Sequence, residues 1–221
     1  YDVLNSQEAK KEATEKSLLH IIKPEIDFDP IADEHCEEVY RKAVENFRRW
    51  RERGWLVQDD EEKYYVYAQT MDGRTQYGLV AACHFDDYVR GRIKKHELTR
   101  PDKEEDRMIH VRNQNANIEP VFFSYPANAE MDMIIRGVVE NNPPEYDFTA
   151  ADGFGHRFWV IDDQEIQRRI TEIFDEIPAL YVADGHHRTA VSPRKRCELT
   201  GRTQVMRSIA ISWPSSFRTA S

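Results

Sequence analysis

Two segments in which apolar and polar residues alternate lie on either side of an Asp-Gly dipeptide. They constrain the fold of this chain more than any other feature of its sequence. The segments are KYYVYAQT (residues 63–70) and QYGLVAACHF (residues 76–85), and the sequence MDGR lies between them. Apolar residues at alternate positions predict strands, and an Asp-Gly dipeptide between two such strands favours a β-hairpin. The chain is therefore expected to contain an antiparallel strand pair around Asp72-Gly73.

Predicted helices and strands alternate along the rest of the chain, and neither type dominates. Helical patterns and caps predict helices over residues 6–16, 33–53 and 129–140, from Pro101 onward, and from Asp162 or Asp163 to about residue 176. Short apolar runs predict strands at LLHII (18–22), PVFFSY (120–125), HRFWVI (156–161) and ALYVA (179–183). We therefore predict an α+β or mixed α/β fold.

Net charge, apolar content and cysteine spacing limit the kinds of molecule that this chain is expected to bind. The chain of 221 residues carries a net charge of -9, which disfavours general nucleic-acid binding. It lacks a run of eighteen apolar residues and a visible signal peptide, so no membrane partner is expected. Its three cysteines, Cys36, Cys83 and Cys197, are widely spaced, which is typical of a reducing cytoplasm and excludes a cysteine-rich zinc site. We expect a cytoplasmic protein with a small-molecule substrate, and a homo-oligomer is left open.

A cluster of polar residues follows the last of these strands, in the segment ALYVADGHHRTA. It consists of Asp184, Gly185, His186, His187 and Arg188, and the next two residues suit the start of a helix. A helix N-terminus offers free N–H groups and a partial positive charge, which attract anions. Arginine can bind a phosphate bidentately, and glycine permits close approach of a ligand. Residues 185–188 are therefore predicted to bind phosphate.

The same cluster contains groups that phosphoryl transfer requires, since that reaction depends on positioning and charge stabilisation. Asp184 is expected to hold Mg²⁺ or to orient a hydroxyl group. His187 is expected to hold a phosphate oxygen or to shuttle a proton near neutral pH. Two other interpretations stay open. Asp184 could cap the helix beside histidines that only pack, or the cluster could bind zinc, although adjacent helical histidines point about 100° apart.

A second charged cluster, KKHELTRPDKEEDR, occupies residues 94–107. This segment can be interpreted as a solvent-exposed charged helix or as part of a functional site. In the functional interpretation Glu97 is a general base, and Lys103 or Arg107 contacts phosphate. Lys103 and Arg107 are four residues apart and share one face of the predicted helix.

Several segments resemble the bacterial and archaeal domain-of-unknown-function family numbered one thousand and fifteen. They are YDVL, HIIKPE, GRIKKHELTRPDKEEDR, PVFFSY and LYVADGHHRTA, and the resemblance covers most of residues 1–190. The pentapeptide Asp-Gly-His-His-Arg is also the hallmark of the free-serine kinase, a member of the ParB/sulfiredoxin superfamily. The resemblance implies a ParB/sulfiredoxin-like core, with inserted segments because residues 97 and 184 are further apart here than the corresponding pair in the kinase.

The resemblance also implies a function. Residues 184–188 would bind the phosphate of ADP or ATP with Mg²⁺, and the phosphoryl group would pass to a small hydroxyl acceptor such as free L-serine. His96-Glu97 matches the kinase's upstream His-Glu pair, whose glutamate acts as the base. The alternative is a nucleotide- or phosphate-binding module without chemistry. DNA binding in the manner of ParB is disfavoured by the net charge of -9.

The end of the sequence departs from the family pattern. The resemblance implies an uninterrupted helix after the pentapeptide, whereas Pro193 is expected to kink or stop the helix after about one turn. From Arg188 to Ser221 there are seven Lys or Arg residues and one acid, Glu198. This basic segment is either a solvent-exposed part of the surface or a source of positive electrostatic potential that attracts a phosphate-bearing ligand. We therefore predict one family domain over residues 1–190, incomplete at both ends, and an atypical basic tail over residues 191–221.

Overall fold

The computed structural model describes residues 4–96, 101–190 and 205–212; for residues 85, 102, 103 and 205–212 it describes the backbone alone. The chain divides into two compact units. The first contains Tyr1–Asp60 and Thr99–Glu119, and the second contains Glu61–Leu98 and Pro120–Ser221. Because the two segments of the first unit flank part of the second, each unit is discontinuous in sequence. None of the described helices is both long and apolar enough to cross a membrane.

The described part of the first unit is helical. Its helices are α1 (Ser6–Glu12), α2 (Leu19–Ile22), α3 (Glu37–Glu52) and α5 (Pro101–Gln114), and a 3₁₀ turn spans Pro24–Asp27. The apolar stripe of α3 supplies most of the buried hydrophobic residues, which include Val39, Ala43 and Trp50. Such a stripe at helical spacing is the usual way in which a surface helix contributes to a core.

Polar residues are also buried in this unit, and they centre on Asp106. The Tyr40 hydroxyl donates to Asp106 Oδ1 over 2.9 Å, and His35 Nδ1 lies 3.3 Å from the same oxygen. Arg107 Nη2 lies 3.2 Å from Asp106 Oδ2. Burial raises the pKa of the Tyr40 hydroxyl, and the hydrogen bond to Asp106 raises it further. The network satisfies a carboxylate that would otherwise be costly to bury.

The second unit is built on one sheet of eight strands in the order β3-β7-β4-β8-β2-β1-β6-β5. The strands are β1 (Tyr64–Met71), β2 (Arg74–His84), β3 (Ile93–Lys94), β4 (Val121–Tyr125), β5 (Tyr146–Thr149), β6 (Gly155–Ile161), β7 (Leu180–Asp184) and β8 (Val205–Ser212). Neighbouring strands are antiparallel except for β3 with β7 and β4 with β8. The expected hairpin at Asp72-Gly73 is β1–β2, and the prediction of a fold with both helices and sheet is confirmed.

The helices of this unit include α4 (Phe85–Val89), α6 (Ala129–Asn141) and α7 (Gln164–Glu176). The buried faces of α6 and α7 form one core with strands β1, β2 and β6. Trp159, Met131 and Ile170 are among its fully buried side chains. A smaller cluster of Ile93, Val121, Phe123 and Val182 joins β3, β4 and β7, and it fixes the edge of the sheet that carries the pentapeptide.

The backbone differs from three sequence predictions. LLHII contains helix α2 rather than a strand, because periodicity cannot distinguish so short an apolar run from a buried helical turn. Helix α1 is capped by Asn5, since the Ser6 hydroxyl instead donates to Glu25 over 2.7 Å. Helix α3 begins after Cys36, not at Asp33, whose carboxylate accepts the N–H of His35 in a preceding turn.

The predicted domain limits, one family domain over residues 1–190 and a tail over residues 191–221, stay predictions. Residues 1–190 contribute to both compact units. Strand β8 comes from the predicted tail and lies inside the sheet, between β4 and β2. This segment of the tail is therefore part of the folded unit.

The buried imidazole of His110 predicts that stability depends on pH. Burial lowers its pKa from the ordinary value of 6.5 to about 4, against the opposing charge of Asp106. Between these two values the unfolded chain binds a proton that the folded chain does not, so the free energy of unfolding falls as the pH drops through this window. His110→Gln should flatten this dependence when urea unfolding is measured across the window. The matched variant His84→Gln, at an exposed position, should leave it unchanged.

Candidate functional site

The pentapeptide begins at Asp184, the last residue of strand β7, which is an internal strand of the sheet. It lies between β3, with which it runs parallel, and β4, with which it runs antiparallel. Val182 is buried between them, whereas Asp184 at the end of the strand is exposed. The strand therefore anchors the polar residues that follow it and leaves the Asp184 carboxylate exposed.

A tight turn at Gly185 joins β7 to a helical segment at residues 186–190. Gly185 has a φ of 87°, a backbone conformation that favours glycine. Both the N–H and the hydroxyl of Thr189 donate to the Gly185 carbonyl over 2.9 Å. Thr189 and Ala190 are buried, so the segment is fixed from its inner side. The predicted strand–turn–helix arrangement of the pentapeptide is confirmed.

Asp184 and Arg188 form an ion pair across this turn. Arg188 Nη2 donates to Asp184 Oδ2 over 2.8 Å, and the Asp184 side chain is 72% exposed. A Cβ atom at Gly185 would lie 3.0 Å from Arg188 Nε, from Arg188 Nη2 and from Val121 Cγ1. Gly185 therefore leaves the space in which the guanidinium folds back over the turn.

The histidines of the pentapeptide occupy different surroundings. His186 meets His96 edge to face, with ring centroids 4.4 Å apart. His96 comes two residues after β3, and the parallel pairing of β3 with β7 brings the two rings together. The Nδ1 atom of His187 is buried and has no hydrogen-bond partner among the described residues. A buried imidazole nitrogen of this kind is suited to accept or donate a proton to a ligand atom.

The structure locates only part of the second charged cluster near these residues. Glu97 lies outside the described residues, and the side chain of Lys103 is not described. Arg107 belongs to the first unit, where its guanidinium is buried beside Asp106 and lies 3.9 Å from Glu119. The predicted roles of Glu97, Lys103 and Arg107 stay predictions.

Val121 was not predicted as a neighbour of Gly185. Val121 gave no signal of its own, because only the pairing of β4 with β7 brings its side chain against Gly185.

Asp184 is the carboxylate of the pentapeptide that could hold a metal ion. The described part of the chain contains no group of three or more His, Cys, Asp or Glu side chains that could hold a metal ion. Zinc usually needs three or four protein ligands, whereas Mg²⁺ is often held by one or two carboxylates together with substrate phosphates. The exposed carboxylate of Asp184 can supply one such ligand.

Fold and site together define a protein of mixed helix and sheet, with a candidate anion site at the end of an internal strand. Residues 1–208 match the family described as "Protein of unknown function (DUF1015)". The chain belongs to this family, and the match extends past residue 190 into the first half of β8. No curated protein and no solved structure matches the chain. The relation to the free-serine kinase and to the ParB/sulfiredoxin core stays a prediction.

The close contacts around Gly185 predict that a side chain added at this position lowers the stability of the protein. Gly185→Ala should lower the free energy of unfolding by about 1–3 kcal/mol, because alanine is strained at positive φ. The new methyl group would also press on Arg188 and Val121. Gly137→Ala is the matched control, since Gly137 lies within helix α6 with no atom within 4 Å of an added Cβ. That control should raise stability by about 0.5–1 kcal/mol in the same denaturation experiment.

Proposed function

We propose that the protein is a nucleotide-dependent phosphotransferase that resembles the free-serine kinase. It would transfer a phosphoryl group from ADP or ATP to a small hydroxyl acceptor such as L-serine. The observation that carries this proposal is the Asp184–Arg188 pair, which is closed over Gly185 at the end of β7. The pair places one carboxylate and one guanidinium side by side. A metal ion bound to a phosphate needs both, because the carboxylate can bind the metal ion and the guanidinium can bind the phosphate.

The phosphate would bind to the guanidinium of Arg188 and to the backbone N–H groups that begin the helical segment at residue 186. An exposed ion pair stabilises a protein by only about 0–1 kcal/mol, so an anion can compete for Arg188 at small cost. Mg²⁺ on Asp184 would favour the same change, because it neutralises the carboxylate that holds the guanidinium. His186 and His187 would contribute further contacts to phosphate oxygens.

The transfer step requires a base for the acceptor hydroxyl. Glu97 is proposed for this role because it follows His96, whose ring contacts His186. The hydroxyl oxygen would attack the terminal phosphorus while its proton passes to Glu97. The bond from that phosphorus to the bridging oxygen would break, and AMP or ADP would leave. His187 is proposed to hold a phosphate oxygen or to move a proton beside the transferred group.

A cytoplasmic location is part of the proposal. The three cysteines are widely spaced along the sequence, which is consistent with a reducing compartment.

Nucleotide binding tests the role of Arg188. Arg188→Ala should weaken the binding of ADP or ATP by about 1.5–3 kcal/mol, the range for a hydrogen bond to a charged group. Arg188→Lys should recover only part of this loss, since lysine keeps the charge but lacks the planar pair of donors. Arg136→Ala, at an exposed position on α6, is the matched control and should bind as the wild type does. Equal affinities of the wild type and Arg188→Ala in titration calorimetry would exclude the phosphate site.

Phosphoryl transfer tests the role of Glu97. Wild type, ADP or ATP, Mg²⁺ and free L-serine should give phosphoserine, measured by phosphorus NMR. Glu97→Gln should still bind nucleotide but should turn over at least about 10²-fold more slowly, because a positioned base typically contributes about 10²–10⁴-fold.

Asp184→Asn should abolish the metal-dependent turnover with little change in thermal stability. A wild type that binds nucleotide but phosphorylates no hydroxyl acceptor would instead indicate a nucleotide-binding module without chemistry.

A further inference from the structure

The strand at one edge of the sheet in the second unit directs backbone groups away from the sheet. Strand β5 is the last strand in the order, and among the described residues only β6 pairs with it. The N–H of Ala150 donates to the carbonyl of Phe154 at the turn between the two strands. Because hydrogen-bonded pairs alternate along an antiparallel ladder, the residues whose N–H and C=O groups point outward are Asp147 and Thr149. Such an edge is a template for pairing with another strand.

One face of β5 carries aromatic rings that are open to solvent. Tyr146 is 59% exposed and Phe148 is 55% exposed. Phe148 stacks on His156 of β6, with ring centroids 5.1 Å apart. A shallow hollow of about 380 Å³ lies on this face, and the residues that line it are Tyr67, Tyr146, Phe148, His156, Arg157 and Phe158. The hollow offers apolar surface to the side chains of a strand that adds to the edge.

The same edge also carries two carboxylates that are not neutralised by an ion pair. Asp147 lies on the side of β5 opposite the rings, because side chains alternate along a strand, and Glu145 immediately precedes the strand. Both residues are exposed, and neither forms an ion pair with any residue that the structure describes. Arg157 is opposite Asp147 in the β5–β6 ladder, but its guanidinium lies 5.6 Å from the centre of the Trp159 ring. The edge therefore favours a positively charged partner.

We propose that β5 is a docking site for an extended peptide segment of another protein, in which basic and apolar residues alternate. The segment would add to the sheet as a further strand and exchange main-chain hydrogen bonds with Asp147 and Thr149. Its side chains would point alternately to the two faces of the sheet. Apolar residues of the segment would lie beside Tyr146 and Phe148, and its lysine or arginine residues would lie beside Asp147 and Glu145.

Charge favours this partner over a second copy of the chain. A second β5 would bring its own Asp147 and Glu145 to the same edge, and like charges on facing strands are destabilising. Opposite charges at these positions are stabilising. The carboxylates therefore disfavour an identical strand and select a basic one. Because few residues pair, the complex is expected to be weak, and salt should weaken it further by screening the charges.

Fluorescence anisotropy of labelled peptides, measured with the full chain, tests the proposal. A peptide of alternating lysine and valine (KVKVKVK) should bind. Its charge-reversed form (EVEVEVE) and a peptide of the same composition without alternation (KKVVVKK) should bind at least about tenfold more weakly. The double substitution Glu145→Lys with Asp147→Lys should reverse the preference, so that EVEVEVE binds and KVKVKVK does not. Such a gain of binding also shows that the variant is folded.

The double substitution Asp175→Lys with Glu176→Lys is the matched control, because it makes the same change of charge at exposed positions on α7. It should keep the wild-type preference for KVKVKVK.

Three outcomes would overturn the proposal. Equal binding of KVKVKVK and KKVVVKK would show that charge alone attracts the peptides. A preference that survives the substitutions at Glu145 and Asp147 would place the peptide on another surface. A wild type that binds none of the peptides would leave the edge to a different occupant, and sedimentation equilibrium would then show whether that occupant is a second copy of the chain.

Discussion

The parallel pairing of β3 with β7 is the contact on which the candidate site depends. It consists of only two residue pairs, Ile93 with Leu180 and Lys94 with Tyr181. The N–H of Leu180 also donates to the Arg92 carbonyl over 2.9 Å. Because parallel neighbours end at the same edge of a sheet, the segments that follow β3 and β7 emerge side by side. The contact between His96 and His186 is the direct result.

Burial stabilises so short a strand pair. Ile93 on β3 and Val182 on β7 share a cluster with Val121 and Phe123 of β4, and all four side chains are nearly inaccessible to solvent. The Arg92 guanidinium donates to the carbonyls of Phe174 and Ile177, at the end of α7. The apolar cluster and these hydrogen bonds therefore help to position the polar residues that follow β3 and β7.

Several features of the site could be predicted from local sequence. Strand, glycine turn and helix follow one another directly in ALYVADGHHRTA, and each has its own local signal. The contact of His186 with His96 could not be predicted in this way, because ninety positions separate the two residues and only strand pairing joins them. The same applies to Val121, which closes the space around Gly185.

The sequence by itself determined the local structure of the chain. The β1–β2 hairpin, the caps of α6 and α7, the strands at PVFFSY and HRFWVI, and the turn at Gly185 all follow from residue type and spacing within short windows. Only the tertiary structure decided which strands are neighbours, that β8 lies between β4 and β2, and that Arg107 is buried beside Asp106. The physical reason is the separation along the sequence over which each interaction acts. Backbone preferences and capping act over a few residues, whereas strand pairing and burial depend on contacts between segments that are distant in the chain.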